Sequence, residues 1–293
     1  MDEPAFSAPR LASGQTGPEP GQGRGGRRFS LSDIRPTVRR RVARASSFAV
    51  VAVVLILAVA LADWRRVGRQ FFNLEVLAQI WPNVIVIALR NTLLYTLVAF
   101  VVGTVFAIIL ALMKMAKGPA RWFAVGFIEL FRGLPALLTI FMCAFMIPIA
   151  FGYHLPGGSM GAGLFGLILV TSAYNAEVIR SGIEAIPKGQ REAARSLGMT
   201  HLSTMVHIIL PQGLRVVIPP LTNEFVMLLK DSALLFIAGL ASTERELTTF
   251  GRDGMTTYAS ATPLIVVAVC YLVVTIPLTY LVSLLEKKMA VKK

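Results

Sequence analysis

Glu192-Ala193-Ala194-Arg195-Ser196-Leu197-Gly198-Met199-Thr200-His201-Leu202-Ser203-Thr204-Met205-Val206-His207-Ile208-Ile209-Leu210-Pro211 lies in a polar loop between two long apolar segments. Pro187, just ahead, has no amide hydrogen to leave unpaired and suits a helix start. A short helix is expected from there through Leu197. On it Ala193, Ala194 and Leu197 share one face at helical spacing, and Arg191 and Arg195 share another. Gly198 accepts a left-handed turn at the helix end without steric cost. Thr200 or Ser203 then caps a second helix, with Leu202, Met205, Val206 and Ile209 along one side. Pro211 is expected to end it. The reading is an elbow: two short helices joined at a tight bend.

The segments on either side are too apolar for a soluble protein. Of 293 residues, 55% are hydrophobic and only 15% charged. Apolar runs near Ser47–Ala62, Thr92–Met113, Leu134–Phe151, Ala162–Ile179, Val216–Leu240 and Ala261–Leu285 approach or reach the ~20 residues that cross a bilayer. The expectation is an all-α membrane protein with about six transmembrane helices.

The net charge of +13 would point to nucleic acid in a soluble chain. Here much of the excess lies in the N-terminal tail and the loops, where positive charge sets membrane orientation, so no nucleic-acid partner is expected. With the Arg-rich tail in the cytoplasm, the segments Lys114–Gly133 and Arg180–Arg215 and the Lys-rich C-terminus also fall inside. The uncharged loop Gly152–Gly161 falls outside. Both termini are thus expected in the cytoplasm of a multi-pass protein of the plasma or inner membrane. The loop Asp63–Asn91 departs from the rule, carrying Arg65, Arg66, Arg69 and Arg90 on the outer side. Within it Phe71–Ile80 reads as a helix lying on the membrane surface, with Phe72, Leu74, Val76, Leu77 and Ile80 as its apolar face.

Residues 1–46 are rich in Gly, Pro, Ser and Arg without hydrophobic periodicity, and are expected to be a disordered basic tail. Paired arginines and Ala60-Leu61-Ala62 fit an export signal. The long charged region and the spans that follow favour an uncleaved first span. Gly21, Gly23 and Gly26 fit G-x-G-x-x-G without a strand before or a helix after. Gly157-Gly158-Ser159-Met160-Gly161 fits G-x-S-x-G but sits in a short loop between spans, where a strand-to-helix elbow is not expected. Cys143 and Cys270 lie inside apolar runs, and His154, His201 and His207 lack ligand spacing, so no metal is expected.

The elbow's spacing, E-A-A-x3-G-x9-I-x-L-P, resembles the cytoplasmic coupling signature of permease subunits of ATP-binding-cassette importers. From Asn91 to Leu285 the chain is similar to the polar amino-acid uptake branch of that family. The resemblance rests also on Asn91-Thr92-Leu93, on Phe127-Ile128-Glu129-Leu130-Phe131 with Arg132-Gly133-Leu134-Pro135, and on Ala173-Tyr174-Asn175-Ala176-Glu177. It continues through Arg180-Ser181-Gly182-Ile183, Ile186-Pro187-Lys188-Gly189-Gln190 and Leu229-Lys230-Asp231-Ser232.

This resemblance implies a type I importer transmembrane domain over residues 91–286. An added span and surface helix would occupy residues 47–90, and a short basic tail residues 287–293. It implies that Glu192, Ala193, Ala194, Gly198, Ile208, Leu210 and Pro211 couple to ABC ATPase subunits. A second permease, identical or related, and an extracytoplasmic solute-binding protein complete the implied assembly in lipid. No Walker A pattern occurs, so ATP belongs to the partner; no cofactor and no enzymatic activity are expected of this chain. The solute would be a polar amino acid of the glutamate, glutamine or arginine class. The family's usual Thr is Leu134 here, and its frequent Gln is Thr139.

Ionisable groups at membrane depth are expensive and by default functional. Glu177, Asn223, Glu224, Lys230, Asp231, Ser232 and Thr139 are the candidates for the substrate pathway. Pairing with one another, or with backbone freed by Pro219-Pro220, is the alternative for several of them. Glu177 with Arg180, and Glu129 with Arg132, have the three-residue spacing of structural pairs. The rival to an ATP-driven importer is an ion-gradient-driven secondary transporter, which would be expected to show inverted repeats. No clear repeat is found.

Overall fold

A computed structural model describes residues 36–153 and 155–289, with side chains from residue 46 onward. The expectation for residues 1–35, the reading of His154 and the final basic residues lie outside the described residues. The chain divides into two compact units, residues 1–62 and 63–293. In the first, helix α1 (Pro36–Leu61) starts ten residues before Ser46, within the basic stretch. Its apolar part, Ser46–Leu61, is shorter than a full span.

The second unit begins with α2 (Trp64–Phe71) and α3 (Leu74–Asn83). Asn73 separates them by capping α3, its Oδ1 accepting from the amides of Glu75 and Val76. The expected single surface helix Phe71–Ile80 is therefore split, and Val76 and Ile80 are buried rather than laid against lipid. A π-helical turn, Val84–Leu89, leads into α4 (Arg90–Met115). Next come α5 (Pro119–Gly133), α6 (Ala136–Phe141), a second π-turn at Met142–Met146, and α7 (Ile147–Phe151). The long α8 (Gly158–Glu184) follows. The elbow comprises α9 (Lys188–Ser196), α10 (His201–Thr204) and a π-turn at Met205–Ile209. After it stand α11 (Leu210–Asp231), a 3-10 turn at Ser232–Ala238, α12 (Leu247–Tyr258) and α13 (Thr262–Met289). No strand occurs among the described residues.

Among the described residues, four helical runs are long and apolar enough to cross a membrane: Trp64–Met115, Gly158–Glu184, His201–Ala238 and Thr262–Met289. A fifth arises if α5 and the segment Ala136–Phe151 form one broken span, bent by 106°. The break falls at Leu134 and Pro135, which are extended. A residue before proline is pushed out of the helical region by the pyrrolidine ring.

Pro211 does not end a helix as the sequence reading expected. It sits in the first turn of α11, and the helix runs on into the span. The π-turn just before it is the reason. There the carbonyls leave the i→i−4 ladder, so the missing proline N–H and the ring bulk cost little. Pro148 follows the Met142–Met146 π-turn at the same two-residue offset.

Helix α8 is the hub, packing on α4, α5, α6 and α11. Its approach to α11 is close at Gly182, where a Cβ would stand 2.2 Å from Val217 Cγ2. The core near the elbow gathers Ala107, Ile128, Ile179 and Ile209, while Tyr95, Ile140, Leu167 and Leu235 form a second cluster. Beyond that cluster, the start of α4 holds the loop before α12. Asn91 Nδ2 donates to the carbonyls of Thr243 (2.8 Å) and Arg245 (3.2 Å), and the Tyr95 hydroxyl donates to the Glu244 carbonyl. Glu246, fully buried, caps α12 by accepting from the amides of Thr248 and Thr249 and the Thr249 hydroxyl. Burial raises its pKa above the ordinary carboxylate value, and these donors only partly offset that.

Candidate functional site

The elbow is built from local rules. Helix α9 starts at Lys188, one residue later than expected, with Pro187 at the cap position. It ends in the two hydrogen bonds of a Schellman cap, Gly198 N to the Arg195 carbonyl (3.0 Å) and Met199 N to the Ala194 carbonyl (3.2 Å). Gly198 supplies the left-handed residue, φ +82°, and nothing lies within 4 Å of where its Cβ would be. Thr200, rather than Ser203, caps α10, its Oγ1 accepting from Ser203 N.

The faces differ from the expected ones. Ala194 and Ile209 are buried, and Ile209 joins the core cluster with Ile183 and Val217 of the helices above. Leu197, grouped with Ala194 by periodicity, is 84% exposed, and Leu202 is 74% exposed. Glu192, Ala193, Gly198 and Pro211 are also exposed, Leu210 is 39% exposed, and Ile208 is half-buried. The tip thus offers two large apolar side chains flanked by small residues and one carboxylate.

Above the elbow an ion cluster ties three helices together. Lys114 Nζ of α4 lies 3.0 Å from Glu177 Oε2 of α8 and 3.7 Å from Glu129 Oε1 of α5. Arg180 donates to both Glu177 and Glu184. The Glu177–Arg180 pair is as expected. The expected Glu129–Arg132 pair is not made: Glu129 turns to Lys114, and the Arg132 guanidinium lies 5.6 Å from the Tyr174 ring centroid.

Deeper in the bundle is a cavity of about 230 Å³ between α6, α8 and α11. Its α11 wall is Glu224, Met227, Leu228 and Asp231, at offsets of three, four and seven residues along one helix stripe. Its α8 wall includes Thr171, Tyr174 and Asn175. Asn175 is fully buried; its Nδ2 donates to Thr104 Oγ1 at 2.9 Å, and its Oδ1 has no hydrogen-bond partner.

Of the seven pathway candidates, only Glu224 and Asp231 line this cavity. Lys230 faces a groove with Thr275, Thr279 and Tyr280 of α13, because adjacent helical residues point about 100° apart. Asn223 is exposed. Ser232 is buried with its hydroxyl on the Leu229 carbonyl. Thr139 lines a separate apolar groove, and Glu177 belongs to the ion cluster. Asn175 and Tyr174 were missed as cavity residues, although their spacing from Thr171 is that of one helix face.

Residues 103–291 match the family model described as binding-protein-dependent transport system inner membrane component. The chain belongs to that family. It is a membrane-spanning permease subunit of an ABC importer, not a secondary transporter and not itself an enzyme. The family works with an ATPase and a substrate-binding protein. The permease is 40% identical over 202 residues, 68% of its length and 90% of the relative's, to the "Probable glutamine ABC transporter permease protein GlnM" of Bacillus subtilis (strain 168). It is 33% identical over 202 residues, 69% of its length and 90% of the relative's, to the "Arginine transport system permease protein ArtQ" of the same organism. Among solved structures, "Crystal structure of an amino acid ABC transporter with histidines" superposes with a TM-score of 0.65 at 35% identity, covering 72% of the permease and 96% of that chain.

Proposed function

We propose that this permease carries a polar amino acid across the inner membrane, and that the elbow receives the stroke of a separate ATPase. The relatives' glutamine and arginine systems support the solute class. The observation that carries the coupling role is the exposed tip of the elbow, with Leu197 and Leu202 bare beside Ala193 and Gly198. Isolated large apolar side chains flanked by small residues suit a partner's groove. Glu192 adds a fixed negative group beside them for a basic or amide side chain. Ile208, Leu210 and Pro211 carry the motion into α11, while Ala194 anchors α9.

In this reading residues 91–286 form the permease core, and a second permease, identical or related, closes the pathway. Both termini lie in the cytoplasm. The solute passes the cavity holding Glu224 and Asp231 after delivery by the binding protein. The test is co-purification of an ABC ATPase with the permease and ATP-driven uptake of a polar amino acid. Disabling the ATPase's phosphate-binding lysine should abolish that uptake. Uptake that persists without a working ATPase refutes the reading.

A further inference from the structure

We infer that an anionic phospholipid docks where α2, α3 and α13 meet, with an acyl chain in an apolar groove and its headgroup on Arg65, Arg66 and Arg69. The site stands apart from the transport reading, and α2 lies outside the residues 103–291 that match the family model.

Helix α2 carries these three arginines and no acidic residue. All three are exposed, and none makes an ion pair among the described residues. Arg65 and Arg69 are four residues apart and share a helix face, with Arg66 one turn from Arg69. Arg69 Nε donates to the Arg65 carbonyl at 3.4 Å, which leaves its terminal nitrogens and the other two guanidiniums for an anion. The adjoining carboxylate, Asp63, caps the helix by accepting from the Arg66 amide instead of pairing with a guanidinium.

Directly after Arg69 and Gln70 the chain lines a groove of about 270 Å³ between α3 and α13. Its walls include Phe72, Leu74, Leu77, Trp81, Val266 and Val269. Two polar residues also reach it, and both are engaged. Asn73 Oδ1 accepts from the amides of Glu75 and Val76, and Thr262 Oγ1 accepts from the Asn73 amide. A peptide laid in this groove would leave its N–H and C=O groups without partners, whereas hydrocarbon has none to satisfy. Trp81, at the groove's edge, is of a residue type that favours the membrane–water interface.

Backbone contacts hold charge and groove together. The Gln70 carbonyl accepts from the Ala261 amide (2.8 Å) and the Ser260 hydroxyl (2.9 Å), pinning the end of α2 to the start of α13. A phospholipid has the same layout, a charged head directly beside an apolar chain. A zwitterionic headgroup would bring a cation to a face that already holds three, so a net negative one is favoured. With the elbow on the inner side, these arginines are the exception to the positive-inside pattern, and the headgroup gives them a counter-charge.

The test reads the groove through Trp81, in full-length permease carrying Trp64→Phe and Trp122→Phe. The protein is reconstituted in phosphatidylcholine vesicles with a rising fraction of dibrominated phosphatidylglycerol. Quenching of Trp81, compared with that by dibrominated phosphatidylcholine, gives the relative affinity of the two lipids at the groove. Phosphatidylglycerol should be favoured at least about fivefold, the contribution of a single arginine at an anionic surface. Arg65→Gln, Arg66→Gln and Arg69→Gln together should bring the ratio to about one, whereas Lys at the same positions should keep it within about twofold of the natural value. A ratio near one in the natural sequence overturns the inference. So does a preference that survives the three Gln changes, or a Trp81 that neither lipid quenches. Loss of the preference on adding soluble glycerol phosphate would assign the arginines to a free phosphate. An unchanged lipid ratio in the Gln variant, with weaker stimulation of ATP hydrolysis by the binding protein, would assign the face to an acidic protein.

Discussion

Lys114 Nζ and Glu177 Oε2 meet at 3.0 Å across the α4–α8 contact, with both side chains less than a quarter exposed. Glu177 also holds Arg180, so one carboxylate is shared by two cations just above the elbow. Removing one partner of such a pair leaves a poorly solvated charge, which costs more than replacing both. Glu177→Ala should therefore destabilise the permease by about 2 kcal/mol, a value reduced from the fully buried case for partial exposure. Lys114→Met with Glu177→Leu should cost less than the sum of the single changes. Thermal unfolding in detergent of the natural permease, Glu177→Ala, Lys114→Met, Glu177→Leu and the Lys114→Met/Glu177→Leu pair measures these differences, and strict additivity would count against a coupled cluster.

A second outcome concerns packing. Gly182→Ala places a methyl against Val217 Cγ2, where the gap is 2.2 Å. Overpacking of this kind costs about 1–3 kcal/mol. Val217→Ala in the same chain should restore part of the stability by removing the obstructing methyl. If the double variant is no more stable than Gly182→Ala, the close approach of α8 to α11 is not the cause.

The cap of α12 should show a pH signature. Burial raises the Glu246 pKa in the folded state above its unfolded value. The protonated carboxyl is therefore the one the fold favours, and its stabilising share is fully present below the unfolded pKa. That share is lost as pH rises through the folded pKa. Glu246→Gln keeps one accepting oxygen, for the Thr249 amide and hydroxyl, and does not ionise. The stability difference between the natural permease and this variant should shift in favour of Gln as pH rises from about 4, near the unfolded value, to 8. A pH-independent difference in melting temperature would show that the cap does not titrate.

Much of the fold was legible because lipid demands long apolar helices, and residues such as Thr92–Met113 and Ala162–Ile179 have no other home. The elbow was legible because Pro187, Gly198 and Thr200 act through local backbone rules that need no tertiary context. The cavity was not. In a span apolar on nearly every side, periodicity does not separate the face against lipid from the face against protein. Lys230, Asp231 and Asn223 therefore looked equivalent in sequence, although only Asp231 turns to α8. The Glu129–Arg132 spacing misled for a related reason: a helix neighbour competes with cross-helix partners, and Lys114 was nearer to Glu129. Pro211 misled because the π-turn before it leaves no mark in residue type.

The most direct measurement is the ratio of solute uptake to ATP hydrolysis in the reconstituted importer carrying Gly198→Val. A β-branched residue at φ +82° strains the bend, and there is open space around it, so the strain acts on the elbow's shape rather than on the core. Uptake should fall at least tenfold, with the permease still in the membrane and hydrolysis by the bound ATPase continuing. Uptake and hydrolysis both equal to those of the natural protein would mean that the elbow does not transmit the ATPase's work.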